Sequence, residues 1–251
     1  MAGFVDDCFT LDRRWVLEFS KVYEKEVGIP FHINTRFDNL DEEIVANLKE
    51  AGCVLVLIGV ESGNEFIRNE VMKREMSEDT IVRGAGLLKK YRIKFLTENI
   101  TGTPGENFDK ALDTVMLNIR IKPSFANCSF FNPYPKLEMT DYAIKNRYFN
   151  GDYSKLNINY YHTTAIACKS RRDLRKMLNM RCFFSLIVKH PILLGFFKKV
   201  IFNLPPNRYF RRMGDLIDGY YLKQLLPYDM GIFHTLKTAV QYIFIYRRES
   251  H

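Results

Sequence analysis

Carboxylates, hydroxyls and glycines recur in this sequence at one kind of place, just after a short apolar or β-branched run. Glu61 and Ser62 follow the unbroken stretch Val54-Leu55-Val56-Leu57-Ile58-Gly59-Val60. Asp6 and Asp7 follow Gly3-Phe4-Val5, and Arg36 comes two residues after Phe31-His32-Ile33-Asn34. Gly102 and Gly105 follow Lys94-Phe95-Leu96-Thr97-Glu98-Asn99-Ile100. Carboxylates and hydroxyls hydrogen-bond a polar ligand, and glycine lets backbone approach it closely. Each residue also has a plain structural reading. Asp6 and Asp7 suit a loop before a helix, Glu61-Ser62-Gly63 a polar strand exit, Arg36 a surface ion pair, and Gly102 to Glu106 a turn.

The elements that must position them follow from the pattern. Continuous apolar runs suit parallel strands covered on both faces, and parallel α/β sheets bind ligands at the carboxyl ends of their strands. Helical patterns fill the gaps at Trp15 to Val27, Asp41 to Ala51 and Thr80 to Tyr91. Asp12 and Asp41 stand where N-capping or first-turn acids belong, and Gly28 and Gly52 stop their helices. With a further strand predicted at Phe125 to Phe131, before Asn132-Pro133-Tyr134-Pro135, the order β-α-β-α-β-α-β predicts right-handed parallel crossovers. The expected fold class is α/β, a partial parallel (β/α) barrel over residues 1–140, followed by a basic, mainly helical region over 141–251.

The charge divides at the same point. Residues 1–125 carry 17 Lys and Arg against 21 Asp and Glu, a net of −4, whereas residues 126–251 carry 20 against 8, a net of +12. A basic, aromatic-rich tail can meet a membrane surface, a nucleic acid or an anionic substrate, or form a solvated face. Phe183 to Val188 and Ile192 to Phe197 flank Lys189-His190-Pro191. This charged, proline-bearing centre makes a poor spanning helix, but the run suits an interfacial helix or packing on the barrel. His234 to Arg247 reads as a further amphipathic helix. Arg208-Tyr209-Phe210-Arg211-Arg212 mixes cations with rings, yet no nucleic-acid partner is favoured. The five cysteines, Cys8, Cys53, Cys128, Cys168 and Cys182, form no C-x-x-C pair. No signal peptide is evident, so free thiols in a reducing cytoplasm are expected, with peripheral membrane contact an open alternative. His32 reads as a satisfied buried side chain, and His162, His190, His234 and His251 lack metal-ligand spacing.

In order and spacing, D-D-x-F-T at Asp6 to Thr10, N-x-R at Asn34 to Arg36, G-V-E-S-G at Gly59 to Gly63, G-T-P-G-E at Gly102 to Glu106 and N-P-Y-P at Asn132 to Pro135 resemble the radical S-adenosylmethionine superfamily. Within it they are most similar to the cobalamin-dependent branch, over roughly residues 3 to 140. The resemblance implies a 4Fe–4S cluster that cleaves S-adenosylmethionine to a 5′-deoxyadenosyl radical. It places Asp6 and Asp7 at the methionine ammonium and Glu61 and Ser62 at the ribose hydroxyls or methionine carboxylate. Arg36 becomes a partner for that carboxylate, Gly102 and Gly105 backbone contacts to adenine, and Ile100 a packing surface for the ring. Cys8 fills the variable position of the first motif. Lys136 stands where relatives usually have glycine. No residue is assigned a catalytic role.

The family's C-x-x-x-C-x-x-C loop lies before the D-D-x-F-T strand in relatives, and none of the five cysteines reproduces its spacing. The sequence reading is therefore a truncated core whose complete form holds the cluster, S-adenosylmethionine and cobalamin for radical methyl transfer or rearrangement. The cluster loop would come from an upstream half. The substrate is a small molecule, a lipid or isoprenoid being suggested only by the basic, apolar tail. A non-catalytic remnant that binds a ligand or partner is the alternative, and a β/α enzyme of unrelated chemistry a third.

Overall fold

The apolar runs form five parallel strands in a computed structural model, which describes residues 1–156, 162–168 and 170–225. The strands are β1 (Ala2–Gly3), β2 (Phe31–Thr35), β3 (Cys53–Glu61), β4 (Lys94–Thr101) and β5 (Phe125–Phe130), hydrogen-bonded in sequential order. Helices α1 (Arg13–Glu26), α2 (Glu42–Glu50), α3 (Glu78–Lys90) and α4 (Phe108–Ile121) return the chain between them. The result is half of a (β/α) barrel, followed by a helical region of α5 (Glu138–Lys145), α6 (Arg171–Cys182), α7 (Phe184–Lys189), α8 (Leu194–Lys199) and α9 (Arg208–Lys223). The helix expected at His234 to Arg247 lies outside the described residues.

Local chemistry explains the helix starts. Asp12 and Asp41 accept the N–H groups of Trp15 and Ile44, as their N-cap positions require, and Ser77 and Asn107 cap α3 and α4 in the same way. The predicted first strand, Gly3 to Val5, is displaced to Ala2–Gly3. Phe4 still donates its N–H to His32 at 3.0 Å, but its ring turns into a cluster with Phe9, Phe19, Tyr23 and Phe31, at centroid distances of 5.1 to 5.8 Å. Packing of this aromatic ring ends the strand, and Val5 is left exposed. At the other strands the reading is close, with β3 and β4 each one residue longer at both or one end.

Side chains alternate in the way a half-barrel demands. Val56, Ile58 and Val60 point outward into the core shared with α1, α2 and α3, whereas Leu57, Gly59 and Glu61 remain half-buried on the concave face. Between β4 and α4 the contact is polar: Thr97 Oγ1 donates to Asn118 Oδ1 at 2.6 Å, and Asn118 Nδ2 donates to Asn99 Oδ1 at 2.7 Å, all three buried. The tail does not stand apart from the sheet. Phe183, Phe184, Ile187 and Phe202 join Ala126, Cys128 and Phe130 of β5 and the outer face of α4 in one core. At the bottom of the half-barrel, Tyr221 and Leu225 pack on Leu55, Leu96 and Phe125. Lys94 Nζ donates to the Gln224 carbonyl at 3.0 Å there. The end of the tail, at Tyr221 to Leu225, thus covers the N-terminal mouth of the strands.

Candidate functional site at the carboxyl ends of the strands

Glu61 is the last residue of β3, and its backbone is unusual. The pairing of β3 with β4 slips between Gly59 and Glu61, and Glu61 takes φ 62°, the left-handed region that side chains avoid. A bulge of this kind re-aims a side chain. Here it turns the Glu61 carboxylate toward Arg74, whose Nη2 donates to Oε1. Glycine two residues earlier leaves room for this pair, since a Cβ at Gly59 would lie 2.7 Å from Arg74 Nη2 and displace the carboxylate. Burial pushes the Glu61 carboxyl above the ordinary range, against the opposing pull of Arg74.

A second carboxylate stands on the next strand. Glu98, paired in register with Gly59, accepts Asn127 Nδ2 of β5 at 2.7 Å. Its carboxyl is also raised, first by burial and further by the charge of Glu61.

The loop after β4 is held by its own acid. Glu106 is buried, and its Oε2 accepts the N–H of Gly102 at 2.5 Å, the N–H of Thr103 at 3.3 Å and the hydroxyl of Thr101 at 3.1 Å. Burial raises its carboxyl to about 7. Gly102 (φ 69°) and Gly105 (φ 81°) are both left-handed. At Gly102 an added Cβ would also meet the Phe130 ring at 2.7 Å. A cavity of about 180 Å³ beside this loop is lined by Gly105, Glu106, Tyr148, Cys168, Ser170 and Asp173, among others.

The sequence-derived residues fall as follows. Asp6 and Asp7 are exposed in the β1–α1 loop, whose course is fixed by the Asp6 carbonyl accepting Asn34 Nδ2 at 3.2 Å. Arg36, at the exit of β2, grips Asp38 with Nε at 3.0 Å and Nη2 at 2.7 Å and also donates to the Arg74 carbonyl at 2.9 Å. Its guanidinium is thus engaged within the protein. Ser62 is fully buried, and its hydroxyl accepts the Asn64 N–H at 3.2 Å. Ile100 shares the concave face with Glu98 and packs against the cluster of Phe131, Phe149 and Ile166. Sequential parallel strands put these exits on one edge of the sheet. Lys136 takes φ 68°, a conformation that glycine adopts without strain, at the position singled out in the sequence.

Two residues of the site escaped the sequence reading, Glu98 and Arg74. Alternation along β4 could have found Glu98, since it lies two residues from Ile100. Arg74 carries no local signal. It reaches Glu61 through a segment with a π-helical turn at Ile67–Val71. There the buried Arg68 donates to the carbonyls of Met76 (2.6 Å), Ser62 (2.9 Å) and Gly63 (3.3 Å).

Residues 3–117 match the model of the Radical SAM superfamily. A Pyrococcus horikoshii protein described as an uncharacterized methyltransferase is 25% identical over 144 residues, which are 57% of this chain and 31% of that protein. Among solved structures, the radical S-adenosylmethionine methyltransferase TsrM from Kitasatospora setae, with cobalamin and a 4Fe–4S cluster bound, aligns with a TM-score of 0.50 at 17% identity. That alignment covers 57% of this chain and 30% of TsrM, and it shows a shared fold. The chain therefore matches about a third of the length of these relatives.

Proposed function

We propose that the concave face between β2 and β5 binds S-adenosylmethionine, and that this chain supplies the cofactor-holding wall of a radical methyltransferase or rearrangement enzyme. The observation that carries the reading is the strained, bulged Glu61, held by Arg74 beside Glu98 at the mouth of a radical SAM half-barrel. A backbone outlier at a strand end persists where surrounding structure enforces it, which is a mark of functional sites.

The residues present fit a charged nucleoside. Glu61 and Glu98 offer acceptors to ribose hydroxyls, and Leu57 and Ile100 give apolar surface on the same face. Arg74 Nε is buried without a partner among the described residues, so a donor remains for a carboxylate. The loop of Gly102 to Gly105, tied down by Glu106, presents backbone beside them. Asp6 and Asp7, which are exposed, would meet an ammonium at the rim.

The same test fails for a 4Fe–4S cluster. Among the described residues no three His, Cys, Asp or Glu side chains converge to hold a metal. Burial raises the Cys53 thiol to about 12 and those of Cys168 and Cys182 to about 11, and pushes Cys128 up as well, away from the thiolate that binds iron. A cluster, which in this family supplies the electron that cleaves the sulfonium, would need ligands from outside this sequence. No residue set for cobalamin is evident among the described residues. The names of the relatives favour methyl transfer, with a small-molecule substrate. The dispersed thiols favour, as a second reading, a module that binds the adenosyl ligand without catalysis.

S-adenosylhomocysteine separates binding from cluster chemistry. Isothermal titration should show saturable binding to the iron-free chain. Glu61→Gln and Glu98→Gln should each weaken it roughly 10-fold or more, the worth of a charge-assisted hydrogen bond. No binding, or equal binding by both variants, would overturn the assignment.

A further inference from the structure

The tail turns one face to β5 and leaves another uncovered, and the uncovered face is both apolar and basic. In α9 the residues toward the core are Phe210, Gly214, Ile217 and Tyr221. Tyr209, Met213, Leu216 and Tyr220 follow the same i, i+4, i+7, i+11 spacing and are exposed, Leu216 by 59%. At 100° per residue this second stripe lies away from the buried one, with exposed Arg212 and the half-buried Lys223 along its border. Just upstream, Ile192 is 91% exposed and Phe196 55%. The two patches belong to one surface. Phe197 of α8 and Phe210 of α9 both pack on Phe183, at 5.1 and 5.4 Å, which leaves their neighbours Phe196 and Tyr209 on the outside.

Charge identifies what the surface meets. Residues 174–214 contain nine Lys and Arg and no Asp or Glu, and Lys189, Lys198, Lys199, Arg208, Arg211 and Arg212 are all exposed. The acids that follow, Asp215 and Asp218, turn toward Arg181, at 3.5 and 3.7 Å. A second copy of the chain on this face would set cations against cations. Nucleic acid would satisfy the cations but not the aliphatic Ile192, Met213 and Leu216, which have no base to stack on. A lipid headgroup layer satisfies both, since its anionic surface draws Lys and Arg and its acyl boundary takes aliphatic and aromatic side chains. Among the described residues no helix is long and apolar enough to cross a membrane.

We propose that the outer face of α8 and α9 docks this protein on an anionic bilayer, with Ile192, Phe196, Leu216 and Tyr220 entering the interface and Lys198, Lys199 and Arg212 meeting lipid phosphates. The contact is peripheral and reversible, and it leaves the C-terminal mouth of the half-barrel outside the docking surface.

Vesicle co-sedimentation of the full chain tests this. Vesicles of phosphatidylcholine with phosphatidylserine should pull the protein down, phosphatidylcholine alone should not, and rising salt should release it. Replacing each of Lys198 and Lys199 by Gln should lower the partition coefficient roughly fivefold per residue. Ile192→Asp with Leu216→Asp should abolish binding. All four positions are exposed, so unchanged circular dichroism and melting temperature would show that these variants fold. Equal binding to both vesicle types, or binding that neither variant pair alters, would overturn the proposal. So would self-association or RNA binding that Ile192→Asp and Leu216→Asp abolish while vesicles are ignored.

Discussion

Glu61 sits in a left-handed backbone conformation, in a half-buried carboxylate pair with Glu98, and on an arginine delivered from a separate turn. A structural residue gains little from any of these, and the conformation alone costs on the order of 1–2 kcal/mol. Gly59→Ala tests the arrangement without touching a charge. Its methyl would displace the Glu61–Arg74 pair, so binding of S-adenosylhomocysteine should fall at least 10-fold by titration while the far-ultraviolet spectrum stays the same. Glu106 gives a pH signature. Its carboxyl is raised from 4.5 to about 7 by burial, so the folded state holds the proton more tightly than the unfolded chain does. The stabilisation is complete below about pH 4.5 and is lost as pH rises toward 7, by on the order of 3 kcal/mol. Urea titrations at pH 5 and pH 7.5 should show this loss, and Glu106→Gln should remove it. Glu61 was legible because a long apolar run ends beside it, and Gly102 because glycine marks a tight turn. Arg74 was not, because its role depends on a chain path that no local pattern encodes.

At the scale of elements, the segment between β3 and α3 shows how that path is fixed. Arg68 is completely buried and donates to carbonyls at both ends of the segment, Ser62 and Gly63 on one side and Met76 on the other. It closes a loop that carries Arg74 back to the strand end. Burial lowers its pKa, against the opposing charges of Glu65 and Glu78, and the carbonyl oxygens accept its N–H groups. Arg68→Met should destabilise the protein by about 3 kcal/mol, from the loss of charged hydrogen bonds and the carbonyls left unsatisfied. Hydrogen exchange should then quicken across residues 62–76 before the strands respond. Asn118 acts similarly between α4 and β4, and Asn118→Ala, which orphans Thr97 and Asn99, should cost about 2 kcal/mol in denaturant melts. Strands and helices were readable from periodicity and caps because those signals are local. Buried polar staples were not, since their partners lie far apart in sequence, 21 residues for Thr97 with Asn118 and 53 for Cys128 with Arg181, and only the folded sheet brings them together.

For the whole molecule, the decisive relation is between the half-barrel and the basic tail. Composition shifts near residue 140, and that shift in charge marks a change of surface. The core runs across it. Cys128 and Phe130 of β5 face Met177, Phe183 and Phe184 in a single cluster, and Arg181 Nε donates to the Cys128 carbonyl at 3.1 Å. Tyr221 and Leu225 close the strands from below, the Tyr221 hydroxyl meeting His190 Nε2 at 3.0 Å. Without the tail, β5 and the outer face of α4 would lose their cover. The described residues should therefore unfold as one cooperative unit. Near-ultraviolet and far-ultraviolet signals should give coincident urea transitions, and Tyr221→Ala should shift both together by about 3 kcal/mol. Two separated transitions would mean that the helices fold independently of the half-barrel. A single transition would tie the exposed apolar and basic face of α9 to the half-barrel whose strands carry Glu61 and Glu98, so that a partner docking on that face would also bear on those strands.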